Sequence, residues 1–330
     1  MSAKERLVDP SLSPIDHLSD QGLRPKGFDE FIGQRKIIDN IDIMVQSSKM
    51  RKAAMDHILF SGPPGLGKTS LATIVAQALG SELHTIAGPA IERKGDLAAV
   101  LTNLGPRDIL FIDEIHRIHV SIEEILYSAM EDFRLDILIG QGAGARTMEI
   151  AVAPFTLIGA TTKSGLLSNP LRDRFMAHFH FDFYEAADLS RIIENSAKKL
   201  CLPPIEAGAL QEMAERSRGT PRIANRILRR VRDFTLVGQK TSISLSDVRE
   251  SLALLEIDSL GLDNMDRRIL QAIKDYYKGG PVGIDAICAT LGEERSTIED
   301  VYEPYLLKQG LLARTPRGRM LSKRGMDHIS

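Results

Sequence analysis

The chain has 330 residues, of which 43% are hydrophobic and 26% are charged, and its formal net charge is −2. At roughly 150 residues per domain this length predicts two or three domains, and the composition excludes a largely disordered chain. No run approaches about 18 consecutive apolar residues, which excludes a membrane-spanning helix, and the charged start without an apolar segment predicts a cytoplasmic protein.

Residues 1–20 carry proline, serine and aspartate without periodicity and predict a flexible arm. In residues 21–183, short apolar runs alternate with helical patterns, which is typical of a parallel sheet covered on both faces. The runs cover residues 57–60, 109–112 and 155–158. Two further β-prone stretches within 134–152, on either side of the Gly-rich tip 141–144, predict a β-hairpin inserted into this α/β domain.

A phosphate-binding loop, Gly62-Pro-Pro-Gly-Leu-Gly67-Lys68-Thr69, follows the first apolar run and leads into a helical pattern. Its glycines allow backbone amides to surround an anion, and the helix N-terminus adds positive potential. Lys68 is suited to the β and γ phosphates of ATP, and the Thr69 hydroxyl is suited to Mg²⁺. The alternative is a glycine-rich turn that binds nothing.

The second apolar run ends in two carboxylates, Asp113 and Glu114. The first fits a magnesium contact, and the second fits a base that orients or activates the attacking water. Acidic strand ends are also common as solvated termini. The phosphate loop about 45 residues earlier on the same chain favours the ATPase interpretation.

Only helical patterns occur in residues 184–256, which predict an all-α domain. Residues 257–330 continue with three short helical segments and a strand-turn-strand pattern, which together predict a winged helix. Lysine and arginine are concentrated in 308–330, with six against one aspartate. This stretch lacks aromatic residues, which favours contact with duplex backbone over stacking on single strands. The alternative is a solvated basic tail.

Five motifs in this order carry a family resemblance: the phosphate loop, Asp113-Glu-Ile-His-Arg117, Pro170-Leu-Arg-Asp-Arg-Phe175, Gly219-Thr-Pro-Arg-Ile-Ala-Asn-Arg226 and Arg314-Thr-Pro-Arg-Gly-Arg319. Over residues 23–321 the chain resembles the RuvB family of bacterial Holliday-junction branch-migration helicases. The resemblance implies an α/β P-loop NTPase core of the AAA+ class with a parallel sheet, an all-α lid domain and a C-terminal winged-helix domain.

The same resemblance implies a homohexameric ring that uses ATP and Mg²⁺ to pump the duplex arms of four-way junctions during recombination and repair. RuvA, the junction-recognising partner, is expected to dock on the hairpin, and a RuvC-type resolvase is a further expected partner. No association with a membrane is expected.

Particular residues acquire roles from the resemblance. Thr161 and Thr162 are expected to sense the γ-phosphate, Arg174 to act as an arginine finger in the neighbouring subunit's site, and Arg222 to act as a second sensor. A guanidinium suits such roles because it is always charged and binds phosphate through two nitrogens. Met176 departs from the family, which usually has glycine at this position.

Further residues expected to bind nucleotide are Leu23, Arg24, Gly65, Gly67, Ser70, Glu131, Asp132, Phe133 and Tyr184, and those expected to bind DNA are Arg295, Arg314 and Arg319. One alternative function is another DNA-associated AAA+ ATPase, such as a clamp loader or an origin initiator. Clamp-loader motors often carry a cysteine zinc module, which the two distant cysteines, Cys201 and Cys288, exclude. A second alternative is a non-enzymatic, ATP-binding DNA regulator, although every expected catalytic residue is present.

Overall fold

A computed structural model describes residues 22–139 and 146–329. These residues form two compact units. The sheet unit comprises residues 24–62 and 67–182, and the helical unit comprises 22–23, 63–66 and 183–329. The predicted arm at 1–20 and the predicted hairpin tip at 141–144 lie outside the described residues.

The sheet unit contains a five-stranded parallel sheet and a separate hairpin. Its strands are β1 (Ile58–Ser61), β2 (Leu83–Ala87), β3 (Ile109–Asp113), β4 (Arg134–Ile139), β5 (Arg146–Ala151), β6 (Thr156–Thr161) and β7 (Ala177–His180). The parallel order is β2-β3-β6-β1-β7, and β4 pairs with β5 in antiparallel register. Because β6 lies between β3 and β1, the carboxyl ends of these three strands are neighbours.

Helices cover the sheet, which explains why its central strands are apolar on both faces. The helices of this unit are α1 (Arg35–Arg51), α2 (Lys68–Leu79), α3 (Lys94–Thr102), α4 (Val120–Glu131) and α5 (Asn169–Arg172). Phe60 and Phe111 are fully buried on the central strands, as is every residue of β6. No helix among the described residues has the length and hydropathy needed to cross a bilayer.

The first half of the helical unit is a four-helix lid: α6 (Ala186–Lys199), α7 (Ala207–Glu215), α8 (Pro221–Val237) and α9 (Leu245–Leu254). Helix α8 buries Ile223, Ile227 and Val231 at the spacing of one helical face. Thr220 occupies the N-cap position of α8, but its hydroxyl donates to the Arg218 carbonyl instead of capping the helix.

The second half of the helical unit has its own apolar core. Its elements are α10 (Asn264–Tyr277), α11 (Ile284–Leu291), α12 (Arg295–Thr297), a π-helical turn (Ile298–Tyr302), α13 (Glu303–Lys308), β8 (Leu312–Thr315), β9 (Gly318–Leu321) and α14 (Lys323–His328). Strands β8 and β9 form the wing, and a backbone bridge between Val282 and Arg319 adds a third segment. The predicted fold class, a parallel-sheet P-loop core followed by an all-α lid and a winged helix, is confirmed.

Candidate active site

The phosphate loop leaves β1 at Gly62 and enters α2 after Gly67. Gly62, Gly65 and Gly67 have φ values of 129°, 79° and 101°, in the region that favours glycine. This backbone turns tightly enough to direct amides toward an anion at the N-terminus of α2. Space at the loop is also restricted, because a Cβ on Gly65 would lie 2.8 Å from Thr220 Cγ2.

Lys68 and Thr69 are the first two residues of α2. The Lys68 side chain is buried, and its Nζ donates to the Gly62 carbonyl at 2.7 Å, so the ammonium is held at the phosphate loop. Thr69 and Ser70 are half-buried at the start of the helix, where hydroxyls can reach a metal ion or a phosphate.

The acidic pair lies at the carboxyl end of β3. Asp113 is the last residue of that strand, and its Oδ1 accepts a hydrogen bond of 3.0 Å from the Glu114 backbone nitrogen. Glu114 has a left-handed backbone with φ 51°, which turns the chain sharply after the strand. Gly88 packs so closely that a Cβ there would lie 2.4 Å from the Glu114 carbonyl oxygen.

The Glu114 carboxylate is held by Thr162, directly after β6, and by His116 in the turn after β3. Thr162 Oγ1 donates to Glu114 Oε2 at 3.3 Å, and His116 Nδ1 lies 3.2 Å from the same oxygen. His116 Nδ1 also lies 2.9 Å from Thr161 Oγ1. The structure therefore brings Glu114, Thr161 and Thr162 together and adds His116, whose side chain is only 6% exposed. The sequence alone does not indicate a role for His116, although it lies two residues after Glu114 in the motif Asp113–Arg117.

His116→Ala is expected to lower kcat for ATP hydrolysis roughly tenfold with little change in KM, because hydrogen bonds to charged groups contribute about 1.5–3 kcal/mol. The Glu114 carboxylate, which is expected to act as the base, would lose one of the contacts that hold it in position. Steady-state ATPase kinetics measure both constants.

A matched control is His84→Ala. His84 also lies beside a carboxylate, with Nε2 3.1 Å from Asp108 Oδ2, but at the amino end of β3. Wild-type kcat is expected for this variant. An equal loss in both variants would show that general destabilisation, and not the position of Glu114, explains the effect.

Arg174 lies on the surface of its own unit, with its side chain 22% exposed. Its guanidinium donates to Glu131 Oε2 at 3.0 Å and to the Pro170 carbonyl at 2.7 Å. It also stacks over the Tyr127 ring, with Cζ 4.5 Å from the centroid. Met176, two residues after Arg174, is 76% exposed and does not have a positive φ, so this position does not need the backbone conformation that favours glycine.

The segment Glu131–Phe133 divides into different environments. Glu131 is 58% exposed and pairs with Arg174, and Asp132 Oδ2 lies 3.5 Å from Arg134. Phe133 packs edge-on against Phe155, so its ring contributes to the core. Glu131 and Asp132 are thus both exposed, Glu131 beside Arg174, whereas the Phe133 ring is packed against the core.

Lid residues approach the phosphate loop within the helical unit. The Tyr184 hydroxyl donates to the Leu66 carbonyl at 3.2 Å, and the side chain is 6% exposed. Arg222 is exposed on the first turn of α8, and a Cβ on Gly65 would lie 3.1 Å from its Cβ. Of the weaker candidates, Leu23 is buried and Arg24 is half-buried.

The predicted DNA-binding arginines surround two glutamates in the winged helix. Arg319 is 11% exposed and pairs with both Glu299 and Glu303, at 2.8 and 3.0 Å. Arg314 pairs with Glu303 at 2.7 Å, and Arg295 pairs with Glu299 at 3.2 Å, but they stay 55% and 58% exposed. The exposed arginines can therefore reach a phosphate more easily than Arg319. Arg317, which is not among the predicted DNA-binding residues, is also exposed, at the tip between β8 and β9.

Glu303→Gln is expected to destabilise the winged helix by about 2 kcal/mol at neutral pH, since it removes charged hydrogen bonds from a buried site. Burial raises the pKa of the Glu303 carboxyl, whereas hydrogen bonds and charge from Arg314 and Arg319 lower it. The lowering is the larger effect, so the net pKa lies below its ordinary 4.5. A lowered pKa stabilises the fold above pH 4.5, and that contribution is lost as pH falls through the folded pKa.

Denaturant unfolding of wild type and variant across this pH range tests the expectation. The difference in the free energy of unfolding should shrink with acidification, and a constant difference would contradict it. Glu294→Gln is the control, because Glu294 is exposed and should change stability by less than about 0.5 kcal/mol.

The donor chemistry of the site fits ATP with Mg²⁺. A cation needs oxygen ligands, and a hydroxyl on Thr69 and a carboxylate on Asp113 occur where α2 begins and β3 ends. A triphosphate needs amides and a fixed cation, which the glycine loop and Lys68 provide.

Comparison with known proteins identifies relatives over the whole chain. The family model described as the Holliday junction DNA helicase RuvB P-loop domain matches residues 23–181, the RuvB AAA lid domain matches 184–258, and the RuvB C-terminal winged helix domain matches 259–330. The Holliday junction branch migration complex subunit RuvB of Myxococcus xanthus is 53% identical over 329 residues, covering 100% of this chain and 96% of the relative.

The same-named protein of Chloroflexus aggregans is 52% identical over 329 residues, which are 100% of this chain and 93% of that protein. Among solved structures, the RuvB Holliday junction branch migration motor of Thermotoga maritima has a TM-score of 0.87 and 47% identity. The match covers 94% of this chain and 98% of the Thermotoga maritima chain.

Proposed function

Because the chain belongs to the RuvB family, we propose that it is the ATP-driven motor that moves the branch point of a Holliday junction along duplex DNA. The observation that carries this proposal is the presence, on one chain, of a phosphate loop with an acidic pair and of a winged helix whose wing is basic. The chain is an AAA+ P-loop ATPase, and its relatives favour branch migration over clamp loading or origin initiation. Such a motor is expected to work in the bacterial cytoplasm, where the DNA is.

Each part of the phosphate loop has a task in holding ATP. The backbone amides near Gly65 and Gly67 bind phosphate oxygens, and Lys68 neutralises charge on the β and γ phosphates. Thr69 and Asp113 would hold Mg²⁺, which when bound neutralises further charge on the phosphates.

Glu114 orients the attacking water and accepts its proton. The contacts from Thr162 and His116 support this role, because they hold the carboxylate oxygen at the end of β3. Thr161 and Thr162 are proposed to respond to the γ-phosphate, a role supported by the contact of Thr161 with His116 and of Thr162 with Glu114. Loss of that phosphate would therefore alter the position of Glu114.

We propose that Arg174 completes the ATP site of a neighbouring subunit in a homohexameric ring. Its hydrogen-bond partners within this chain are the Glu131 carboxylate, which is 58% exposed, and the Pro170 carbonyl, and its Nε has no hydrogen-bond partner among the described residues. A γ-phosphate offers this guanidinium more charge than those partners do. Glu131 and Asp132 are also exposed and would face the same interface between subunits.

The DNA arms are bound by the winged helix through Arg295, Arg314 and Arg319. Phosphate contacts suit a motor that must move along any sequence, because they carry no base information. Glu299 and Glu303 hold these arginines in place before DNA binds.

The protein partners bind elsewhere on the chain. The hairpin β4–β5 docks a RuvA-type junction-binding protein, and a RuvC-type resolvase joins the complex.

The test is ATP-dependent branch migration of a synthetic four-way junction by the full chain with a RuvA-family protein. Separation of the junction into two duplex products with ATP, but not without it, is expected. A clamp loader or an initiator would hydrolyse ATP on duplex DNA and leave the junction unchanged. That result would reject the proposed function.

A further inference from the structure

Arg218 and Asp266 form an ion pair that is buried within the helical unit. Their side chains are 2% and 0% exposed, and two guanidinium nitrogens donate to the two carboxylate oxygens at 2.7 and 3.1 Å. Arg218 Cζ also lies 4.6 Å from the centroid of the Tyr305 ring. A buried ion pair contributes little net stability compared with apolar side chains, but its bidentate geometry fixes the orientation of the two segments that it joins.

On one side, the pair is fixed to two helices of the winged helix. Asp266 belongs to the first turn of α10 and exchanges hydrogen bonds of 3.0 Å with Asp263, which caps that helix. Tyr305 belongs to α13, and its hydroxyl donates to the Leu260 carbonyl at 2.7 Å. A displacement of the Arg218 guanidinium would therefore act on the starts of both α10 and α13.

On the other side, Arg218 is joined to the segment that leads into α8. Arg218 has a left-handed backbone with φ 57°, and its carbonyl accepts the Thr220 hydroxyl at 3.2 Å. The next residue, Gly219, has φ 70°, and a Cβ there would lie 2.8 Å from Phe183 Cβ. This segment has no room to rearrange independently of its neighbours.

The same segment contacts the phosphate loop. The Gly219 carbonyl accepts a 2.9 Å bond from the Tyr184 backbone nitrogen, and the Tyr184 hydroxyl donates to the Leu66 carbonyl. Thr220 Cγ2 is the atom that a Cβ on Gly65 would approach to 2.8 Å. Tyr184 and Thr220 are each 6% exposed, so no link between the loop and Arg218 depends on a flexible surface side chain.

We propose that the Arg218–Asp266 pair transmits movement of the phosphate loop to the winged helix. Arg218 is a positioning residue: its buried guanidinium is engaged by Asp266 and Tyr305, and it ties the part of the chain proposed to sense phosphate to the part proposed to bind DNA. This inference rests on the function proposed above, and it states how hydrolysis becomes movement of DNA. A pair that only stabilised the fold would leave the coupling between the two events unchanged.

The test is the double variant Arg218→Met with Asp266→Asn. Methionine keeps the unbranched stem, and asparagine can still accept the hydrogen bond from the Asp263 nitrogen. We measure ATPase rate without DNA, junctions separated per ATP hydrolysed with a RuvA-family protein present, and the thermal unfolding midpoint. The DNA-free rate and midpoint should stay near wild type, and junctions separated per ATP should fall roughly tenfold, the scale of single-site effects on coupling.

The control is Lys240→Met, which breaks the ion pair between Lys240 and Asp247 in the same lid. Lys240 follows the C-terminus of the 17-residue helix α8, roughly 25 Å along the axis from Arg218. Wild-type coupling is expected for it. An unchanged number of junctions separated per ATP in a folded double variant would overturn the inference. A wild type that separates no junctions would instead reject the proposed function.

Arg218→Lys provides a second measurement if the double variant unfolds. Lysine keeps the charge in contact with Asp266 but cannot make the bidentate contact or stack as a planar group. We expect this variant to fold and to separate fewer junctions per ATP than the wild type at the same ATPase rate. Equal coupling in Arg218→Lys would show that orientation through the guanidinium is unnecessary.

Discussion

Replacing Glu114 with glutamine is expected to lower kcat for ATP hydrolysis by roughly 10³-fold, within the range for loss of a general base. Glutamine can still accept hydrogen bonds from Thr162 and His116 but cannot take a proton from water. ATP affinity should change little, because Lys68 and the loop amides stay in place. Single-turnover hydrolysis and equilibrium binding of labelled ATP measure the two effects separately.

Glu124→Gln is the matched control for this substitution. Glu124 lies on α4, is 61% exposed and forms a surface ion pair with Lys94, so its loss should leave hydrolysis unchanged. If Glu114→Gln hydrolysed ATP at the wild-type rate, another group would have to activate water and the proposed chemistry would be rejected.

Arg174→Ala is expected to reduce kcat by roughly 10³- to 10⁵-fold, which is the contribution of arginine fingers to phosphoryl transfer. The loss comes from uncompensated charge on the transferring phosphate. Arg172→Ala is the control, because Arg172 lies on α5 and donates locally to Asn169 at 3.0 Å. Unchanged hydrolysis in Arg174→Ala would exclude it from the reaction.

Mixing two inactive variants tests whether Arg174 acts on the neighbouring subunit. An Arg174→Ala subunit keeps its own Glu114 and can receive Arg174 from an adjacent Glu114→Gln subunit. Mixed assemblies should therefore recover hydrolysis that neither variant shows alone. If native mass measurements detect mixed assemblies and the ATPase rate stays at the level of the single variants, the shared-site proposal fails.

Local sequence was sufficient to predict the phosphate loop and the acidic pair. Both features consist of residues that are adjacent in the sequence. The loop is marked by glycines at fixed spacing before Lys68, and the acidic pair by its position at the end of an apolar strand. The parallel sheet followed from the apolar runs for the same reason. The confirmed fold class shows that the hydrophobic periodicity of each segment correctly predicted its type of secondary structure.

Contacts between distant segments could not be predicted in this way. Nothing near His116 in the sequence indicates that β6 brings Thr161 to its ring. Likewise, Arg218 and Asp266 are separated by 48 positions, and the pattern around each is compatible with a solvated surface charge. The basic wing was visible as composition, but its pairing with Glu303 depends on the packing of α13 against β8.

The backbone of Glu114 is strained, because its φ of 51° is unfavourable for any residue other than glycine. A residue held in this region costs on the order of 1 kcal/mol or more, and glycine there would relieve that strain. The chain nevertheless has glutamate, whose carboxylate is the group that glycine would remove. With the catalytic role proposed for Glu114, this position favours turnover over stability, and we expect screens for heat-resistant variants to recover inactive proteins with glycine there.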